Sequence, residues 1–574
     1  MSRTTRRRTR SRALGVLVLA AVGLAGCAAI PTSGPINSGE VPVSEPAPVI
    51  PIGNDPVPDA EPERLVMDFI SASSAGFYDD FEIARKYLTT RTADAWDPRA
   101  QVLVYQGEEP TIVEGDDEQT FLVRVPVIAT VDAGGRYTET VPGSLPTELV
   151  FEVRQENGQW RISALADGVL MRAPNFYDVV FRRTALYFAT PDRTHLVPDM
   201  RWFPSRNTAS SAVSELLAGP SPWLRDAVVS GFPEGTRLST ATVPVTNAVA
   251  TVDLSADVRV AEPADASLLR TQLETTLGRL PGTLVTSVET LVGGLPWDVG
   301  EPLELRRDVA PERGPFVLSD DRLAVVEGRD EVVPLDDAAP LTGIDANSPA
   351  LSPDEQVRVV RDGTTRVLLL PLDASPPVEL LRGSSLIAPT VDRFGWVWAG
   401  ETSSGGTLTA VDAGGNQVAV EAEWLDARVV RSLRVSRDGA RIAVVSASAG
   451  GRDATIEVAG VVRDENGVPQ RVTTETVRVG SALEDVTEVA WTDEGMLAVL
   501  GTSGTLSTPT PTMHLVPIGG PTQVLPMVRD TVGIASSRGD RGLYLAVEGG
   551  VLYSRQGSSW VVAATGVRDP VFPG

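Results

Sequence analysis

Apolar positions recur at helical spacing in two places early in the chain. Leu65, Val66, Phe69 and Ile70 form the first set, and Phe81, Ala84, Tyr87 and Leu88 the second. Strand-like runs follow at Phe121 to Val127, Leu149 to Val153 and Trp160 to Ile162, and Asn157-Gly158 supplies a hairpin turn between the last two. Helices followed by an antiparallel sheet that curls over them predict an α+β unit over 63–173. Over 179–307 the pattern starts with a strand at Ala185 to Phe188 and an amphipathic helix at Ala209 to Ala218, stopped by Gly219-Pro220-Ser221. A strand at Val249 to Ser255, a helix from about Asp265 to Leu280 and a strand at Val285 to Val292 complete this second α+β unit.

From 310 to 574 the pattern becomes repetitive. Phe316-Val-Leu-Ser-Asp-Asp, Ala350-Leu-Ser-Pro-Asp-Glu, Val391-Asp-Arg-Phe-Gly, Val435-Ser-Arg-Asp-Gly and Trp491-Thr-Asp-Glu-Gly each run a short strand into a polar turn. Apolar strands such as Arg441 to Val445 and Met496 to Leu500 follow, and Gly539-Asp-Arg-Gly-Leu-Tyr-Leu-Ala-Val is a further copy. Repeats spaced by roughly 35–56 residues predict the four-stranded blades of a β-propeller. About six copies are visible, with five or seven left open, and a β-helix or sandwich is the architectural alternative. Asp569 to Gly574 resembles the opening strand of a blade and is expected to close the ring.

The opening residues are of another kind. Six arginines lie within the first twelve residues, and an apolar run from Ala13 to Gly26 leads into Leu24-Ala25-Gly26-Cys27. A basic flank, about fourteen apolar residues and a small-residue site predict a cleaved signal segment over 1–26, too short to span a membrane. The Pro/Gly/Ser/Glu-rich stretch from Ile30 to about Pro62 cannot bury a core and is expected to be an extended tether, although part of it could dock as a lone strand.

Composition narrows the chemistry. The 574 residues carry a net charge of -25, and without the first six arginines the remainder is more acidic still, which disfavours a nucleic-acid partner. Lys86 is the only lysine and follows Arg85, so no phosphate-loop or Ser-x-x-Lys motif exists and no other lysine can form a Schiff base. Two histidines and one cysteine cannot build a Cys/His zinc site or an intrachain disulfide.

Several candidate residues have competing readings. Trp96, Tyr105 and Phe151 either line a pocket in the first unit or fill its core, with core favoured. Trp396 and Trp398 flank Val397 and are either exposed anchors or packing between blades, with packing favoured. Asp253 stands at a strand end as a cap or turn contact. Asp464-Glu465-Asn466-Gly467 starts like a calcium loop but lacks the later ligands, and a turn is expected. His195 and His514 fall in different predicted units, so no paired histidine site is expected, and Arg538-Gly539-Asp540 is discounted as a chance triplet. No catalytic residue, metal or cofactor is expected. A carboxylate-pair glycan hydrolase on the propeller and a glycan- or lipid-binding sensor in the first unit remain alternatives.

Resemblances to known families sharpen these readings. Leu24-Ala25-Gly26-Cys27 is similar to a bacterial lipobox, which implies cleavage between Gly26 and Cys27, a diacylglycerol thioether on Cys27 and N-acylation, with palmitate the expected acyl group. Two or three acyl chains anchor stably where one does not. The first unit resembles nuclear-transport-factor-2-like domains. The order Leu-Tyr-Phe, Leu-Leu-Ala-Gly-Pro-Ser, Pro-Glu-Gly-Thr, Ala-Thr-Val-Asp-Leu-Ser is similar to GerMN domains of germination and sporulation proteins. The complete series of lipobox, tether over 27–62, α+β unit, GerMN-like unit and propeller, with Cys27-Ala-Ala-Ile-Pro-Thr-Ser-Gly-Pro, resembles the LpqB lipoproteins of actinobacteria. That resemblance implies a non-catalytic protein on the extracytoplasmic face of the cell membrane. It also implies binding to the extracytoplasmic sensor domain of the Mtr histidine kinase, and modulation of signalling in cell-wall metabolism and division.

Overall fold

A computed structural model describes residues 52–574 except 108, 116, 142–144, 404, 452 and 504–510. Gly26 and Cys27, the signal segment and most of the expected tether lie outside the described residues. The end of that tether docks. The Tyr87 hydroxyl donates to the Asn54 carbonyl at 2.9 Å, Lys86 pairs with Asp55 at 2.8 Å, and Gln159 Nε2 donates to Asp59 at 2.7 Å. Residues 54–59 are therefore strapped to the first unit, whose polar rim supplies partners that composition alone could not reveal.

Helix α1 (Pro62–Ala75) begins with proline in its first turn, where the missing N–H would have had no partner anyway. It buries Leu65, Val66, Phe69 and Ile70, as the spacing predicts. The second predicted helix shrinks to one turn, α2 (Glu82–Arg85): Phe81 just before it takes the left-handed φ of 64°, and after it the N–H groups of Lys86, Tyr87 and Leu88 close onto carbonyls three residues back. Phe81 drives its ring against Gly76, where a Cβ would stand 2.1 Å from a ring carbon. Helix α3 (Thr90–Ala95) is capped by Thr89, whose hydroxyl accepts from the Thr92 N–H.

The strands of this unit form two four-stranded sheets rather than the single antiparallel one expected. Thr111–Glu114, Thr120–Val125, Thr147–Glu156 and Gln159–Ala164 make an antiparallel sheet, with Asn157 and Gly158 at positive φ in its hairpin turn. In the other sheet Gln101–Tyr105 pairs antiparallel with Val127–Asp132 and parallel with Val169–Arg172. The last strand follows completion of the first sheet and adds to the free edge of Gln101–Tyr105. Alternation along Gln101–Tyr105 sends Val102 and Val104 into one core and Tyr105 into another with α1.

A π-helical turn, Asn175–Val180, leads into the second unit. Phe181–Ala189 and Leu196–Pro204 form a two-stranded ribbon, and α4 (Thr208–Ala218) ends at Gly219, which adopts φ 92°. Val249–Leu254 and Ser287–Val292 pair in parallel, joined by α5 (Pro263–Leu277) in a β-α-β crossover. Helix α5 stops three residues earlier than the pattern suggested, because the Arg279 and Leu280 N–H groups close onto the Thr276 and Leu277 carbonyls three residues back, and Pro281 and Gly282, at φ 72°, turn the chain away.

Residues 316–571 form a propeller-like, nearly closed array of antiparallel sheets. Ala346–Leu351, Arg358–Asp362, Arg366–Leu369 and Val378–Arg382 make one; Leu483–Asp493, Met496–Ser503, Pro511–Pro517 and Gln523–Leu525 another; Thr531–Ser536, Leu543–Val547, Val551–Gln556 and Ser559–Thr565 a third. Two further groups are fused into a nine-stranded sheet by an inserted hairpin. Its strand Pro469–Val472 pairs antiparallel with Thr455–Arg463 and parallel with Gln417–Glu421. Closure uses both ends of the array. Arg568–Val571 lies beside Phe316–Ser319, with Phe316 opposite Val571 and Leu318 opposite Arg568, and the Gly574 N–H donates to the Leu351 carbonyl.

Candidate functional site

The residues singled out in the sequence resolve mostly into structure. Trp96, Tyr105 and Phe151 are all buried in the core beneath α1, where the Phe69 ring lies edge-on to Trp96 and Phe151. Trp396 and Trp398 are buried as well. They pack toward the sheet containing Val430, Leu433 and Ile442, while Val397 and Ala399 pack toward Val359 and Leu380 on the opposite side. Alternation in that strand thus serves two sheet interfaces. The Asp253 carboxylate accepts from the Gly294 N–H, a turn contact. Asp464 accepts from the N–H groups of Asn466 and Val468, closing the turn of the inserted hairpin. Arg538 pairs with Asp308 at 2.7 Å and the Gly539 N–H donates to the Thr492 carbonyl, so that triplet is a structural loop. Among the described residues no group of three or more His, Cys, Asp or Glu is placed to hold a metal ion.

His195 and His514 are both buried and lie in separate units. Burial lowers each to about 4, with the nearby Arg393 adding to the effect at His195. The sign follows from comparison with an unfolded histidine near 6.5. The unfolded chain takes up protons first, so stability is complete above that value and is lost as pH falls toward about 4. On the order of 2–3 kcal/mol per histidine is at stake. We predict that His514→Gln shows a shallower fall in melting temperature between about pH 6.5 and pH 4 than the parent chain; parallel curves would refute a titrating role for this residue.

What the sequence did not disclose is how tightly the units interlock. Asp392 and Asp438 belong to the repeated turn theme, and both are buried at the junction of the second unit and the ring. Asp392 accepts from Trp398 Nε1 at 2.7 Å and pairs with Arg463 at 2.6 Å. Asp438 pairs with Arg441, whose Nη1 reaches the Glu494 carbonyl. Burial opposes ionisation of Asp438, but Arg441 and Ser436 outweigh it and hold the carboxyl below its ordinary range. Across the junction Arg393 pairs with Asp192 at 2.8 Å, the Tyr187 hydroxyl donates to Glu494 at 2.6 Å, and Arg307 pairs with the same carboxylate. Arg183 donates to the carbonyls of Gly495 and Ile518, and Trp202 Nε1 to that of Gly519. The inserted hairpin takes part, since Thr473 donates to the Trp223 carbonyl and Arg471 pairs with Asp226.

The first unit is tied in too. Glu139 accepts from the backbone of Ser481 and Thr522. Arg201, fully buried, pairs with Asp199 at 2.7 Å and Glu215 at 3.1 Å and donates to the Gly134 carbonyl at 2.7 Å. A continuous cluster of buried apolar side chains runs from Leu186, Val213 and Trp223 to Val445, Val458 and Trp491. The ring loops facing the second unit are those at 392–395, 438–441, 463–467, 493–495 and 518–520. The ends of ring strands that point the other way carry exposed acids, Asp320, Asp345, Asp426 and Asp530 in loops and Asp485 near the start of its strand.

Comparison with known proteins follows this geometry. The model described as "Lipoprotein LpqB, N-terminal domain" matches residues 55–177, and that described as "Lipoprotein LpqB beta-propeller domain" matches residues 321–573. The chain belongs to the LpqB lipoprotein family. Between those two matches, a model described as "Sporulation and spore germination" covers residues 185–298, the unit read as GerMN-like. Lipoprotein LpqB of Thermobifida fusca is 29% identical over 557 residues, covering 84% of this chain and 86% of that protein. The LpqB proteins of Cutibacterium acnes and Streptomyces avermitilis are each 26% identical, over 96% and 99% of this chain and 97% and 99% of their own lengths. The LpqB matches thus fall on the strapped first unit and on most of the nearly closed, propeller-like array. Among the described residues no helix is long and apolar enough to cross a membrane.

Proposed function

We propose that this LpqB-family chain is a lipid-anchored, extracytoplasmic accessory protein that binds the sensor domain of a two-component histidine kinase, that of the Mtr system, and modulates its signalling in cell-wall metabolism and division. Cys27 carries the diacylglycerol and acyl groups after cleavage behind Gly26, and residues from Cys27 to the docked strap at Asn54 form the tether. The first unit is an NTF2-like domain and the ring has six blades, the first completed by Arg568–Val571. No catalytic residue, cofactor or metal takes part.

The observation that carries this reading is the acid-rich loop side of the ring. One side is occupied by the second unit through ion pairs and backbone hydrogen bonds. The other offers exposed carboxylates from successive sheets to an incoming protein. Such a surface selects a basic patch on its partner and speeds encounter more than it adds affinity.

Crosslinking and pull-down from intact membranes with the native chain and a Cys27→Ser control test the reading. Recovery of a histidine kinase sensor domain with the anchored form alone supports it. Recovery of only wall glycan or lipid removes the kinase role. Raising ionic strength from about 0.05 to about 0.5 M is expected to weaken the complex on the order of tenfold, chiefly through slower association. Affinity that stays flat with salt excludes the acidic side as the contact.

A further inference from the structure

The pocket imagined inside the first unit is filled by Trp96, Tyr105 and Phe151, yet a cavity of about 450 Å³ opens nearby, between the first and second units. From its chemistry we infer that it is a binding site for a neutral carbohydrate of one to two sugar rings. Three features of the lining lead there.

The first is a division of polarity. The half-buried Phe77 and the edges of the buried Phe181, Trp202 and Phe203 contribute apolar surface, and α4 contributes Asn207, Ser211 and Ser214. Aromatic surface beside hydroxyl and amide groups suits a sugar, which has C–H faces and a rim of hydroxyls. The second is unused hydrogen-bonding capacity. Asn207 occupies the N-cap of α4, the position where asparagine ordinarily caps, but its side chain makes no capping bond. The hydroxyls of Ser211 and Ser214 have no hydrogen-bond partner among the described residues. An acyl chain entering here would strip water from these groups and return nothing, at a cost for each. A sugar replaces the water with hydroxyls.

The third is charge balance. The ionic groups at the lining already have partners: Asp132 with Arg136, Glu215 with Arg201, and Arg99 with Asp80. Glu215 shares Arg201 with the buried Asp199, so no unpaired cation is left to recruit a phosphate or a carboxylate, and a neutral ligand is favoured over an anionic one. Location adds a consequence. The lining comes from both units, and Arg201, Glu215 and Gly134 tie those units together beside it, so occupancy stiffens that joint.

The test uses the full lipidated chain in phospholipid nanodiscs, with protein-free nanodiscs as the blank, titrated calorimetrically with the N-acetylglucosamine dimer, maltose and, as the neutral apolar probe, decanol. The expected result is saturable binding of at least one disaccharide, weakened tenfold or more in S211L/S214L and several-fold in N207A, with unchanged melting of the unliganded variants. Ser214 and Asn207 are exposed and Ser211 is half-buried at the cavity, so melting of the unliganded variants checks that the core is untouched. Binding of decanol alone above the protein-free blank, binding of a sugar unaffected by both variants, or no binding of any probe overturns the inference.

Discussion

Removing residues 567–574 should abolish cooperative folding of the ring. Arg568–Val571 is the only neighbour of Phe316–Ser319 on that side of its sheet, and without it the Phe316 and Leu318 backbone becomes an open edge. Val567 and Phe572 are buried, and the Phe572 ring packs against Tyr544 at 5.5 Å. Loss of two such side chains forfeits roughly 3–6 kcal/mol of burial, a large part of the 5–15 kcal/mol that typically holds a domain together. An unpaired inner edge also invites association with other chains. The expected measurement is loss of the sharp thermal transition, with oligomers appearing in size-exclusion chromatography coupled to light scattering. A truncated chain that stays monomeric and melts within about 3 °C of the parent would show that the ring does not depend on this closure.

Arg201→Met should be the most damaging single substitution at the joint between the first two units. The guanidinium is fully buried, and its removal leaves Asp199, itself almost completely buried, with only the Ser221 N–H and hydroxyl as partners. Orphaning one member of a buried ion pair typically costs about 3–5 kcal/mol. The Gly134 carbonyl loses its donor as well, beside a place where the backbones run very close. Gly135 has φ 78°, and a Cβ there would lie 2.6 Å from the Trp202 carbonyl oxygen. The expected readout is a large fall in the urea midpoint, together with faster hydrogen exchange around 132–137 and 199–203. The double change Arg201→Met with Asp199→Asn should recover part of the loss, because it removes the stranded charge. No recovery would place the cost in packing and not in electrostatics.

How much of this was legible beforehand follows from sequence separation. The strand–turn–strand theme of the ring was visible because each turn is local, its Asp or Gly facing residues two to five positions away. The closing role of Asp569 to Gly574 was visible because those residues carry the theme. The core of α1 was visible from its spacing. The GerMN-like order survives because helix stops such as Gly219 are written into the chain beside the helices they end.

Other features had no local signature. Tyr187 meets Glu494, and Trp202 meets Gly519, across more than three hundred residues. The parallel pairing of Val169–Arg172 depends on which edge is free once the other sheet exists. Asp392 looked like an ordinary turn residue, and only three-dimensional proximity to Arg463 makes it a buried ion partner. The junction cavity is assembled from separate stretches of chain, none of which carries a motif.

The docking of the second unit on the middle of the ring has a consequence for the order of events during synthesis. Its contacts fall between Arg393 and Gly519, while the ring is finished only by Arg568–Val571. The second unit precedes all of these and can be complete when they are made. It then offers a floor of carbonyl acceptors, guanidinium donors and apolar side chains on which the middle sheets can settle while the ring is still an open arc. A chain built this way carries its own scaffold for the slow step, holding the arc in place until the final strand arrives.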